Sequence, residues 1–181
     1  IYDLGEWPKG TLWASTFRGM HTIELSGLPQ NQTWRHEKTF RVRYGSKAYS
    51  FVPTEEGLWS TPFFRSFGVS YFDGESWNTL QTENGLSDHS IRRIFRASDG
   101  AVWFIGARGL SRLDPKTQNW TRFTSANGIR PFAPQYFIPN GTETQNGTFW
   151  IDVDGKQVLR FRYHEPPIPE TQLKPAVEQV S

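Results

Sequence analysis

Apolar and polar residues alternate in short stretches along residues 90–124, and Gly, Asp or Pro separates the stretches. Residues Leu110–Leu113 and 120–124 alternate with a period of two, which is typical of a strand with one buried face. Residues 102–105 are continuously apolar, as expected for a strand that is covered on both faces. With a further strand over 90–96, the pattern predicts four strands and no helix. These strands are joined by turns at 97–100 and 106–109 and by a polar loop at 114–119.

The same pattern recurs along the chain with a period of about 44 residues. In each copy a turn and an apolar residue precede a tryptophan, and these tryptophans are 46, 44 and 47 residues apart: Trp13, Trp59, Trp103 and Trp150. A second series is spaced by 43 and 43 residues: Trp34, Trp77 and Trp120. Four short strands repeated at this period are typical of the blades of a β-propeller.

We therefore predict an all-β fold, a β-propeller with about four blades of four antiparallel strands, as part of a larger propeller. One twisted sheet cannot bury both of its faces alone, so the blades must stack around an axis. The first series of tryptophans is expected to fill the gaps between blades. The second series is expected to begin the outer strands as partly exposed covers. The predicted blades are approximately 1–45, 46–88, 89–131 and 132–163, followed by a Pro-rich exit linker over 164–181.

The sequence does not decide whether the four copies close into a ring. The fourth copy lacks an outer strand after residue 163, and either residues 1–4 or residues 176–180 could replace it. The chain begins at Ile1 without Met, and residues 164–169 form a Pro-rich exit. We expect a fragment of a longer chain whose end blades expose apolar faces. The alternative is a chain that closes alone as a small four-bladed ring.

The composition narrows the classes of function. Of the 181 residues 36% are hydrophobic and 15% aromatic, which favours a folded domain over a disordered chain. No apolar run approaches the roughly 18 residues of a membrane helix, so we predict no membrane segment in this piece. A net charge of +2 gives too weak a field to favour nucleic acid. The absence of Cys excludes disulfides and thiolate metal sites.

Three segments of the third copy resemble the two-component regulator propeller repeat. They are Asn84-Gly85-Leu86-Ser87, then Asp-Gly-Ala-Val-Trp-Phe-Ile-Gly at 99–106, then Gly-Leu-Ser-Arg-Leu-Asp at 109–114. The repeat motif is similar to Asp-Gly-x-Leu-Trp-Ile-Gly-Thr followed by Gly-Leu-x-Arg. Shorter matches extend the resemblance over about residues 5–163. The fourth copy departs from the motif, because Asp152 and Asp154 stand where Gly and Thr are expected.

The resemblance implies an extracytoplasmic propeller, on the periplasmic or extracellular side of a bacterial membrane receptor. Many such receptors are hybrid histidine kinases of two-component systems, and their propellers sense ligands that are often poly- or oligosaccharides. The family has no catalytic motif to carry over. We therefore expect no catalytic residue and no cofactor in the propeller itself.

A ligand site is predicted at the mouth of the central channel, where the turns between second and third strands meet the loops between blades. Cations recur at comparable positions of these turns: Arg18, Arg65, Arg108 and Lys156. Arginine offers a fork of donors suited to carboxylate, sulfate or phosphate. Phe64 adds a ring that can stack on a sugar, and Asp88 and His89 add polar groups from a loop between blades. The alternative is that these side chains are solvated or bond local carbonyls.

Two other functions stay open. Streptogramin lyase is a propeller enzyme with a distantly similar repeat that uses His with a metal, and here only His89 lies at the predicted mouth. His21, His36 and His164 share no repeat position, so we predict no metal site. The third reading is a scaffold for protein–protein contacts. The expected partners are a small polar ligand or oligosaccharide, further propeller blades, and a downstream domain of the same parent chain.

Overall fold

The computed structural model describes most of the four predicted blades. The described residues are 3–16, 19–25, 35–36, 48–62, 68–127, 129, 141–145, 147–152, 158–163 and 178–180. They form sixteen strands and two single-turn 3-10 helices, Thr82–Asn84 and Ser125–Asn127, and no α-helix lies among them. The prediction of an all-β chain with frequent turns is therefore confirmed.

The strands form four separate antiparallel sheets of four strands each, and in every sheet the strands pair in chain order. The first sheet holds β1 (Asp3–Glu6), β2 (Thr11–Thr16), β3 (Gly19–Glu24) and β4 (Arg35–His36). The second holds β5 (Ala48–Pro53), β6 (Leu58–Pro62), β7 (Val69–Phe72) and β8 (Trp77–Leu80). The third holds β9 (Ile91–Arg96), β10 (Val102–Gly106), β11 (Leu110–Leu113) and β12 (Trp120–Phe123). The fourth holds β13 (Gly141–Glu143), β14 (Thr148–Asp152), β15 (Val158–Arg162) and β16 (Glu178–Val180).

The outer strand of the fourth sheet comes from the C-terminal segment. In β16, Val180 pairs with Val158 and Glu178 pairs with Arg160. This is the second of the two replacements that the sequence left open, whereas Asp3 and Leu4 belong to β1, the first strand of the first sheet. The predicted exit linker over 164–181 is thus corrected at 178–180, because these residues complete a sheet edge through backbone pairing.

Neighbouring sheets pack against one another through apolar faces, as the blades of a propeller do. The first strands of neighbouring sheets are in contact, β1 with β5 and β5 with β9. Within the described ranges, three buried clusters join the first sheet to the second, the second to the third and the third to the fourth. No buried cluster of these residues joins the fourth sheet to the first. The described sheets therefore form an open series.

The first tryptophan series occupies the gaps in three of the four copies. Trp13, Trp59 and Trp103 are 4%, 5% and 1% exposed and belong to the three clusters. Trp150 departs from the prediction, because it is only half-buried. It lies opposite Arg160 on the face of the fourth sheet that points away from the third, where no described residue of another sheet packs against it. Trp77 and Trp120 begin β8 and β12 as half-buried covers, as predicted.

A glycine is required beside Trp120. Gly85 has φ +126°, and a Cβ there would lie 2.3 Å from Cγ of Trp120. At Gly10, φ is +94°, but a Cβ would meet no atom within 4 Å. A side chain at Gly10 would therefore introduce backbone strain alone, whereas a side chain at Gly85 would introduce both backbone strain and a steric conflict.

We expect Gly85→Ala to lower the free energy of unfolding by about 2–5 kcal/mol, because left-handed strain and overpacking add. Gly10→Ala carries the strain alone, so it should lower the same free energy by only about 1–2 kcal/mol. Urea unfolding of the two variants, followed by tryptophan fluorescence, measures the difference. Equal losses would mean that Trp120 gives way without cost.

Candidate functional site

Two of the predicted site loops lie side by side at one end of the third sheet. In antiparallel sheets, the turns between second and third strands lie at the same end as the connections between sheets. The loop at 87–90 and the turn at 106–109 are joined there, because Ala107 N donates a hydrogen bond of 3.1 Å to Ser90 O. The turn is closed by Gly106 N, which donates to Gly109 O at 2.8 Å. We refer to these two segments as the mouth loops.

Asp88 is held by its own loop. Its Oδ1 accepts a 3.0 Å hydrogen bond from Ser90 N, and its Oδ2 is buried without a hydrogen-bond partner among the described residues. The neighbouring Ser87 N donates to Ser111 Oγ at 2.7 Å, which anchors the loop to β11. Space for the side chain depends on Gly106, since a Cβ there would lie 3.0 Å from Cβ of Asp88. The carboxylate of Asp88 is thus fixed beside the turn.

His89 is exposed and connects the mouth loops to the second sheet. Its carbonyl accepts a 2.8 Å hydrogen bond from Gly68 N, at the start of β7. Its Nε2 lies 3.1 Å from Oγ1 of Thr82, a distance at which the hydroxyl can donate or accept according to the imidazole tautomer. His89 is therefore held at the boundary between the second and third sheets, with its ring accessible to solvent.

Arg108 is the exposed tip of the turn at 106–109. No described carboxylate forms an ion pair with its guanidinium, so its donors are accessible to solvent. Arg108, Asp88 and His89 lie in these two segments, at the same end of the third sheet. The other predicted site residues lie outside the described residues: Arg18, Phe64, Arg65 and Lys156.

The described histidine, aspartate and glutamate side chains form no group of three or more that could hold a metal ion. Among the same residues, no helix is long and apolar enough to cross a membrane.

A buried charge that the sequence did not single out lies between the third and fourth sheets. Arg112 donates a 2.7 Å hydrogen bond to Asp99 Oδ2, and its guanidinium is 3.5 Å from Asp114 Oδ2. The guanidinium carbon stands 4.3 Å from the ring centre of Tyr163 in the fourth sheet. Burial acts to lower the pKa of Arg112, but the hydrogen bond to Asp99, with its charge and that of Asp114, raises this pKa above its ordinary value. Arg112 therefore stays charged and joins the two sheets.

The pKa of Asp114 is perturbed in the matching direction. Burial acts to raise it, but backbone hydrogen bonds from Thr117 and Lys116 and the charge of Arg112 hold it below its ordinary value. The contacts of Arg112 and Asp114 are thus with neighbouring protein groups, which favours a structural role. The sequence signal that could have revealed the pair of Arg112 and Asp99 is the Asp-Gly turn at 99–100, because Asp99 stands thirteen positions before Arg112.

No family model matches the chain, and no curated protein matches it in sequence. Solved structures do match in fold. One is the extracellular domain of BT4673 from Bacteroides thetaiotaomicron, described as a hybrid two-component system, with a TM-score of 0.67 and 14% identity over 89% of this chain and 22% of that one. The extracellular domain of BT3049, described in the same way and from the same organism, matches with a TM-score of 0.61 and 14% identity over 88% of this chain and 20% of that one.

A third similar structure is PorZ of Porphyromonas gingivalis, a surface component of the type-IX secretion system. Its TM-score is 0.62 and its identity 16%, over 100% of this chain and 27% of that one. The chain thus spans about a fifth to a quarter of the length of these structures. At such identities the likeness shows the fold, which agrees with the propeller architecture predicted from the repeats.

Proposed function

We propose that the chain is part of the ligand-sensing extracytoplasmic propeller of a bacterial two-component receptor of the hybrid histidine kinase type. The support is the fold match to extracellular domains described as hybrid two-component systems, together with the repeat motif at 99–106 and 109–114. In this proposal the domain lies on the periplasmic or extracellular side of the membrane. Its role is to bind a ligand and to pass a change in contacts to a following domain.

The ligand of the proposed sensor is an oligosaccharide or another polar or anionic molecule that binds at the mouth loops. The observation that carries this is the solvent-accessible guanidinium of Arg108 beside the fixed carboxylate of Asp88 and the exposed ring of His89. A guanidinium binds carboxylate or sulfate groups through paired hydrogen bonds. Phe64, Arg18, Arg65 and Lys156 complete the proposed site from the sequence pattern.

Thermal shift with a panel of acidic and neutral oligosaccharides tests the site. We expect an acidic oligosaccharide to raise the melting temperature, and the Arg108→Ala variant to lose most of that shift. Lys9→Ala is the matched control, because Lys9 is an exposed cation in the turn before β2, away from the mouth loops. Unchanged binding after simultaneous replacement of Arg18, Arg65 and Arg108 would contradict a site at the mouth.

We further propose that additional blades of the same parent chain cover both ends of this series of sheets. The two exposed large hydrophobic residues in the described part of the chain are Leu4, 53% exposed, and Val158, 37% exposed. Leu4 pairs with Ala14 on the face of the first sheet opposite Trp13, and Val158 shares the face of Trp150. Both lie on the open faces, where a propeller places its next blade.

Sedimentation of the isolated chain tests this proposal. Open apolar faces should make the chain self-associate at high concentration, and Leu4→Asp combined with Val158→Asp should reduce that association. The matched control is Lys9→Asp, which introduces the same side chain at an exposed position. A control at Leu80 would be unsuitable, because Leu80 packs against a buried cluster. A monomer that melts in one sharp transition at all concentrations would instead favour a ring that closes alone.

A further inference from the structure

A cleft opens between the second and third sheets at the end opposite the mouth loops. The β5–β6 turn and the β11–β12 loop lie at this end, because both connect first to second or third to fourth strands. One compartment of the cleft has a volume of about 150 Å³ and an aromatic wall. An adjoining compartment of about 220 Å³ is polar and shares Thr54, Glu56 and Pro115 with the first. We call them the aromatic compartment and the polar compartment.

The wall of the aromatic compartment consists of aromatic rings in contact with one another and of apolar side chains. Trp59 and Tyr71 lie 4.5 Å apart between ring centres, and the ring of Trp120 stands nearly perpendicular to Trp59, at 82° and 6.3 Å. Tyr71 Oη donates a 2.9 Å hydrogen bond to the carbonyl of Glu56, which fixes the tyrosine against the turn. Leu80, Val102 and Leu113 complete the apolar lining.

Polar groups stand at the edge of this wall. Glu56 is exposed and lines both compartments. Burial raises the pKa of Tyr71, and the negative charges of Glu56 and Asp73 raise it further. No described side chain bonds the Glu56 carboxylate, which leaves its oxygens available as acceptors. An apolar wall with a carboxylate at its edge fits a ring that has an apolar face and hydroxyl donors around it.

The backbone at the opposite edge is strained. Gln118 has φ +59°, and it is the one residue other than glycine with a positive φ in the described part of the chain. Its N donates to Asp114 O at 2.8 Å and its Nε2 donates to Pro115 O at 2.7 Å. A side chain in this conformation costs about 1–2 kcal/mol, and such residues persist where their surroundings hold them, often at binding sites. Gln118, in this strained conformation, lines the aromatic compartment.

We propose that this cleft binds one neutral pyranose ring of a glycan, with the apolar face of the sugar against the half-buried ring of Trp120 and its edge toward Trp59. A volume of about 150 Å³ accommodates a ring of the size of benzene, so the ring atoms of the sugar occupy the aromatic compartment while its hydroxyl groups extend beyond it. Hydroxyl groups at the sugar edge donate to the Glu56 carboxylate and accept from Gln118, after its amide turns from Pro115. The next residue of the glycan extends into the polar compartment toward Lys116. The carboxylate at the edge disfavours an acidic sugar, which separates this site from the mouth and makes it independent of the function proposed above.

Isothermal titration of the chain with maltose and cellobiose tests the site, with glucuronic acid and p-cresol as comparison ligands. At least one neutral disaccharide should bind, and glucuronic acid should bind at least tenfold more weakly. Glu56→Gln should weaken the neutral disaccharide about tenfold or more, since a hydrogen bond to a charged group is lost. Glu83→Gln is the matched control, because Glu83 is an exposed glutamate in the 3-10 turn away from the cleft.

Gln118→Gly is a second variant, chosen so that weaker binding cannot result from lower stability. Glycine adopts the positive φ without strain, so this variant should be at least as stable as the wild type while it weakens the neutral disaccharide about tenfold. Arg108→Ala should leave disaccharide binding unchanged, which distinguishes the cleft from the mouth. The proposal is overturned if neither disaccharide binds, if Glu56→Gln and Gln118→Gly have no effect, or if p-cresol competes as well as the sugars.

Discussion

Replacement of Trp103 by alanine is expected to lower the free energy of unfolding by about 3–5 kcal/mol, the range for a large aromatic residue removed from a core. Trp103 is 1% exposed and lies between the third and fourth sheets. Its ring is 5.1 Å from Phe149 and 5.3 Å from Phe161, both in the fourth sheet. In this variant, the fourth sheet should therefore be the first to separate from the others during unfolding.

The matched control is Trp150→Ala, because Trp150 holds the same repeat position in the fourth sheet. It is half-buried, and its described ring contact is the guanidinium of Arg160 at 5.7 Å. The loss in the isolated chain should be about 1 kcal/mol or less. Urea unfolding with near-ultraviolet circular dichroism compares the two variants. Equal losses would show that repeat position, and not the neighbouring sheet, decides the contribution.

The same pair of variants gives a different result if further blades cover the open face. In a longer chain that contains the next blade, Trp150 would occupy a gap between sheets as Trp103 does. Trp150→Ala should then approach the cost of Trp103→Ala. The measurement thus reports on the proposed continuation of the ring without a structure of the longer chain.

The strands of the third sheet could be predicted almost residue by residue. The alternation at Leu110–Leu113 predicted a strand with one buried face, which is wrong, because all four residues of β11 are buried between neighbouring sheets. The positions of the strands follow instead from Gly, Asp and Trp, which recur at fixed positions. These signals are local, so they require only the chain itself. The burial of Trp150 could not be predicted in this way, because it depends on whether another sheet packs against the same face.

The proposed cleft was not visible in the sequence for a related reason. Trp59, Tyr71 and Trp120 each fit a blade position, and the pattern assigned the two tryptophans to packing between sheets. What the pattern does not contain is the space that is left between them and the Glu56 turn. The same holds for β16, whose pairing with β15 links segments on either side of residues 164–177. Repeats specify each sheet, whereas gaps and long-range pairings depend on how the sheets meet.

Removal of the acidic partner of Arg112 is expected to destabilise the protein more than removal of Arg112 itself. Asp99→Ala leaves the guanidinium, 5% exposed, with the more distant Asp114 and the Tyr163 ring. A buried charge that loses its closest partner is strongly unfavourable, so we expect a loss of about 2–4 kcal/mol. The lost hydrogen bond is the shorter of the two charged contacts, at 2.7 Å.

Arg112→Met should cost only about 1 kcal/mol or less, because a hydrophobic side chain of similar volume replaces a buried charge without its desolvation penalty. Asp99 and Asp114, whose side chains are 45% and 19% exposed, can then be hydrated. The double variant Asp99→Ala with Arg112→Met should regain most of the stability lost in Asp99→Ala alone, and a double-mutant cycle by urea unfolding measures this coupling. If Arg112→Met costs as much as Asp99→Ala, the guanidinium contributes through its own contacts to the fourth sheet, and the ion pair does not govern the stability of this interface.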